Sequence, residues 1–108
     1  MVVNKEYHNC PVEDAIQILS GKWKILILWK LTDKPRRFAE LKRLVAGITE
    51  KMLIQQLREL ETDGVIYRKD YHQMPLKVEY SLTEQGQELK PIFDQLWKWG
   101  SQYVQNSV

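Results

Sequence analysis

Residues 38–64 read FAELKRLVAGITEKMLIQQLRELETDG, and this run decides the fold. Phe38, Leu41, Leu44 and Val45 share one helical face. Gly47 ends that short helix. Thr49 suits the start of the next, because its hydroxyl can take up a free N–H of the first turn. In the second helix Leu53, Leu57 and Leu60 again share a face. Gly64 stops it after about Asp63, where helices commonly end on a left-handed residue. Two short helices joined by a tight turn make a helix-turn-helix.

Downstream the period changes. Residues 65–71 and 76–82 read as strands, with Val78, Tyr80 and Leu82 alternating with Lys77, Glu79 and Ser81. His72, Gln73, Met74 and Pro75 form the hairpin loop between them. Thr83 caps a final helix that runs to about Tyr103 and carries Leu89, Ile92, Phe93, Leu96 and Trp97. Pro91 falls inside that helix and predicts a kink or a break. Upstream, residues 1–9 are polar and expected to be flexible. Pro11 suits the first turn of a helix, Glu13 and Asp14 favour its positive end, and Ser20-Gly21 closes it. The segment 23–31 (Trp23, Ile25, Leu26, Ile27, Leu28, Trp29, Leu31) is apolar on nearly every side and predicts a buried helix. Residues 32–35 make a turn. The expected fold class is α+β, mostly α: a winged helix-turn-helix with a two-stranded hairpin as wing. One domain spans 1–108, with the helix-turn-helix at 38–63, the wing at 65–82 and a terminal helix at 83–104.

Composition bounds the function. The chain has 108 residues, enough for one domain, with 44% hydrophobic and 28% charged residues. Its net charge of +2 does not by itself announce a polyanionic partner, so the charge has to be located. Residues 34–51 hold Lys34, Arg36, Arg37, Lys42, Arg43 and Lys51 against Glu40 and Glu50, leaving the rest of the chain net negative. Cations gathered on a helix-turn-helix suit the phosphates of duplex DNA. On the second helix the inward leucines leave Lys51, Gln55, Gln56 and Arg58 to face outward, with Met52 beside them. Gln and Arg carry the paired donors and acceptors that read adenine and guanine edges. Thr49 and Lys51 can reach phosphates or bases, and Arg36 and Arg37 the backbone near the first helix. On the wing the candidate is Lys77, with Arg68, Lys69 and His72 nearby.

Cys10 is the single cysteine, which excludes an internal disulfide and fits a reducing cytoplasm. Neither a signal peptide nor an apolar run long enough for a bilayer is present, so the expected site is the cytoplasm, with no membrane partner. His8, Cys10 and His72 are too few for a structural zinc site. No nucleophile elbow and no Gly-rich phosphate loop occur, so no catalytic residue, metal or cofactor is expected, and the protein is not read as an enzyme. Trp23, Trp29 and Phe38 read as core rather than as a cofactor box. Cys10 precedes a helix start, where the dipole favours a thiolate and a redox role, although Glu13 and Asp14 oppose it; a plain small residue at that position has the same appearance. Phe93, Leu96, Trp97, Trp99 and Tyr103 exceed what one covered stripe needs and predict a homodimer through the terminal helices. A winged helix that docks a protein instead of DNA is the competing reading.

The runs Cys10-Pro11-Val12, Gly21-Lys22-Trp23-Lys24 and Arg37-Phe38-Ala39-Glu40-Leu41, then Gly47-Ile48-Thr49, Asp63-Gly64, Lys77-Val78-Glu79-Tyr80-Ser81-Leu82-Thr83 and Trp99-Gly100, resemble the HxlR-type winged-helix regulators of bacteria. The resemblance covers residues 8–104. It implies a homodimer held by the first and last helices and a pseudo-palindromic operator. It also implies a recognition helix at residues 49–63 in the major groove, with the hairpin as wing. In some members the cysteine matching Cys10 senses electrophiles or oxidants, while others keep it without such a role. Without a second cysteine, only a symmetric Cys10–Cys10 bond, a mixed disulfide with a small thiol, or alkylation is open. The combined expectation is a sequence-specific transcription regulator, acting as a repressor and answering to an oxidant or small-molecule effector.

Overall fold

The helix-turn-helix is present as α3 (Phe38–Leu44) and α4 (Glu50–Thr62) in a computed structural model that describes residues 10–75 and 77–106. Before them come α1 (Pro11–Leu19) and α2 (Lys22–Leu31); after them come β1 (Ile66–Asp70), β2 (Val78–Leu82), α5 (Glu84–Gln87) and α6 (Leu89–Asn106). Leu76 and residues 1–9, where a flexible start is expected, lie outside the described residues.

The leucines that set the helical period are the ones that bury. Leu41 of α3 and Leu53, Leu57 and Leu60 of α4 close over Ile27, Leu28 and Leu31 of α2, with Val45 and Ile48 filling the turn between α3 and α4. Gly64 takes a φ of 75°, so a residue without a Cβ is needed to turn the chain out of α4 and into the wing.

The wing is an antiparallel hairpin in register from Ile66 opposite Leu82 to Asp70 opposite Val78. Its buried ends, Ile66 and Leu82, join the core. The pairing runs one residue further, where the Tyr71 N–H donates to the Lys77 carbonyl (2.9 Å). On the other edge Arg36 forms a bridge to Tyr80 through two backbone hydrogen bonds of 3.0 and 2.8 Å. The turn before α3 is thereby fastened to the wing.

The terminal helix is broken, as Pro91 predicts, but just before the proline instead of at it. Thr83 caps a four-residue α5, its Oγ1 accepting from the Gly86 N–H (3.1 Å) and donating to the Gly64 carbonyl (2.7 Å). The chain breaks at Glu88, and α6 begins afresh at Leu89. Pro91 therefore stands in the first turn of α6, where a missing N–H breaks no helical bond, and the break precedes it.

Candidate nucleic-acid interface

Thr49 opens α4 as expected, its Oγ1 accepting from the Met52 N–H (3.1 Å). With Leu53, Leu57 and Leu60 inward, the solvent stripe of α4 is Lys51, Ile54, Gln55 and Arg58, at positions i, i+3, i+4 and i+7. Gln56, expected on this stripe, lies at its flank: its Nε2 donates to the Met52 sulfur (3.5 Å), and both side chains are half-buried. At about 100° per residue Gln56 stands only about 40° from inward Leu60, which explains the correction. Ile54, absent from the expected set, takes the vacated place.

Gln55 is held in a short relay. Its Nε2 donates to Glu59 Oε2 (3.2 Å), and the other carboxylate oxygen accepts from Lys24 Nζ of α2 at 2.6 Å. Lys24 is buried and Glu59 half-exposed, so the ion pair closes over the α2–α4 seam. The Lys24 bond foremost, then the Gln55 bond and the Lys24 charge, hold the Glu59 carboxyl below its ordinary pKa. Sequence reasoning missed this pair, because a lysine inside a hydrophobic run gives no sign of its partner 35 residues away.

In the turn and α3, Arg37, Lys34, Lys42 and Arg43 have exposed side chains. The Arg37 N–H donates to Glu40 Oε1 (3.0 Å), and this bond, ahead of the charges of Lys34, Arg36 and Arg43, lowers the Glu40 pKa. Arg36, expected to reach toward the backbone of DNA, is turned inward. Its side chain is only 13% exposed, with Nε donating to the Lys30 carbonyl (3.0 Å) and the guanidinium facing Asp33 and Glu40. It braces the turn from within instead of facing outward.

On the wing, Lys77 and Lys69 place their ammonium groups 4.4 and 4.8 Å from the centre of the Tyr71 ring. The Tyr71 hydroxyl donates to Glu79 (2.7 Å), and that bond is the main cause of its raised pKa. Lys77 is thus half-buried on a built surface near the hairpin tip.

The terminal helices also carry exposed apolar residues. Leu96, Trp97, Trp99 and Tyr103 are each at least half exposed, and on α1 so are Val12 and Ile16. Trp97 also stacks on Trp29 at 5.8 Å, and Trp99 on Tyr103 at 5.2 Å. Phe93 does not belong with them. It is 3% exposed, edge-on to Trp29 at 6.3 Å, and is covered by the chain's own core. Four residues before it on the same side, Leu89 also faces inward, which sets the uncovered face off from the packed one. Cys10, the residue before α1, has a half-buried free thiol; its carbonyl accepts from the Glu13 and Asp14 N–H groups (3.0 and 3.3 Å). Among the described residues no cluster of His, Cys, Asp or Glu suits a metal, and no helix is long and apolar enough to cross a membrane.

A helix-turn-helix with a Lys–Gln–Arg stripe on its second helix, flanked by a hairpin braced against its first, defines a winged-helix DNA-binding transcription regulator. Comparison with known proteins narrows the class. The family described as HxlR-like helix-turn-helix matches residues 18–108. The HTH-type transcriptional regulator YkvN of Bacillus subtilis is 50% identical over 97 residues, covering 90% of this chain and 82% of that one. Among solved structures, the redox regulator HypR in its reduced form superposes with a TM-score of 0.84 at 46% identity, over 92% of this chain and 100% of that one. The reduced transcriptional regulator YodB of B. subtilis gives 0.77 at 37% identity, over 87% and 94%. The chain belongs to the HxlR family of helix-turn-helix transcriptional regulators.

Proposed function

We propose that the chain represses transcription as a homodimer on a pseudo-palindromic operator, with Cys10 as the thiol that controls release. Each α4 enters a major groove with Gln55 and Arg58 toward base edges, and Lys51 and Thr49 toward phosphates. The exposed cations of α3 and the preceding turn, Arg37 among them, neutralise flanking phosphates, and Lys77 meets the backbone beside the wing. The observation that carries this reading is the solvent stripe of α4, where polar readers stand opposite a fully buried leucine face. The likeness to HypR, a redox regulator, supports the thiol role. Because Cys10 adjoins α1, whose Val12 and Ile16 are exposed as the apolar residues of α6 are, an adduct there shifts one subunit against the other and spoils the spacing of the two recognition helices.

Selection of bound duplexes from a random pool tests this. Enrichment of two inverted half-sites about one helical turn apart is expected, with affinity falling steeply as salt rises. A quinone or diamide then weakens binding by wild type but not by Cys10→Ala. No enriched duplex overturns the DNA-binding reading; equal binding before and after oxidation overturns the thiol role alone.

A further inference from the structure

Ile54 is the residue on the recognition stripe that neither the core nor phosphate binding explains. It is 37% exposed, while Leu53 beside it is fully buried. A β-branched side chain loses rotamer freedom in a helix, so Ile is a poorer choice at an open helical position than the Lys, Gln and Arg around it. Lys51 and Arg58 stand about one turn away on either side and Gln55 is adjacent. With Glu50 and Glu59 these residues line a shallow depression on the outward face of α4. An apolar group is thus set in the middle of the surface that approaches DNA. In the major groove the apolar group that base edges display is the 5-methyl of thymine.

We propose that Ile54 is a specificity-determining residue that selects thymine at one position of each half-site by packing against its 5-methyl group, next to the base read by Gln55. The inference rests on α4 lying in the major groove, and its test separates the two. In a duplex recovered by selection, each thymine is replaced in turn by deoxyuridine, which keeps every hydrogen-bonding group and removes only the methyl. At one position per half-site the replacement weakens wild-type binding about fourfold, the worth of one buried methyl, and about sixteenfold when made in both half-sites. The Ile54→Ala protein binds the thymine duplex more weakly and is indifferent to the replacement. Its melting temperature does not fall, because Leu53, Leu57 and Leu60 are untouched and Ala is the better helix former. Neutral deoxyuridine at every position, or discrimination that survives in Ile54→Ala, overturns the role of Ile54 while leaving DNA binding intact. Failure of any duplex to bind overturns both.

Discussion

Arg36 and Arg37 are neighbours in sequence and opposites in space. A count of charges sees their sign but not their direction. The Arg36 backbone is committed to Tyr80, which turns its side chain back onto the Lys30 carbonyl. Arg37→Ala should weaken binding to all duplexes alike and reduce the salt slope by about one per subunit. Arg36→Ala should instead leave that slope unchanged and cost about 1–2 kcal/mol of folding stability, read by urea unfolding. Glu59 makes a different prediction. Its pKa is lowered from 4.5 in the folded state, so its contribution is present above that value and is lost as pH falls through the lowered one. Glu59→Gln should therefore flatten part of the acid limb in a plot of urea midpoint against pH, and Glu40, whose pKa is lowered too, contributes in the same direction. A mutant whose acid limb matched wild type would contradict the Lys24–Glu59 pairing.

At the scale of elements, most boundaries are legible because local chemistry sets them. Pro11 starts α1, Thr49 starts α4 and Gly64 ends it, each within a residue of the reading from sequence. What the sequence hides comes from distant approaches. The close packing of α5 on the wing is one case. Gly86 is pressed against the base of the wing, and a Cβ there would fall on the Val65 carbonyl oxygen and crowd Leu82. Nothing within residues 83–103 signals that approach, whereas Pro91 does signal the break: it cannot donate to the Gln87 carbonyl, so the helix ends one turn before it, at Glu88. Gly86→Ala should destabilise the fold by about 1–3 kcal/mol by prising α5 from the hairpin, lowering the thermal midpoint while α4 keeps its own contacts. The solvent stripe of α4 was legible in part: Lys51, Gln55 and Arg58 follow from the leucine period. The placement of Ile54 and Gln56 needed the angular position of each residue, not just its polarity. Phe93 could not be told from its exposed neighbours, because an apolar residue has the same appearance whether its own core or a partner covers it.

For the molecule as a whole, contacts link the terminal helix α6 through α2 to α4. Trp97 of α6 stacks on Trp29 of α2, and Lys24 of α2 holds Glu59 of α4. An uncovered stripe of Ile92, Leu96, Trp99 and Tyr103 runs along α6, from 50 to 63% exposed. Light scattering at micromolar concentration should give twice the 12.9 kDa mass of one chain. Leu96→Lys should shift that mass toward the monomer and weaken operator binding, because two half-sites are then no longer held by one body. A wild-type mass of a single chain would rule out the terminal helices as a stable interface. The indoles of Trp29 and Trp97 lie nearly parallel, 15° apart, so their electronic transitions couple. That coupling depends on separation and angle, and any sliding of α6 over α2 changes it. The protein therefore carries an optical gauge of how α6 sits on α2 within one chain, readable by circular dichroism without a label.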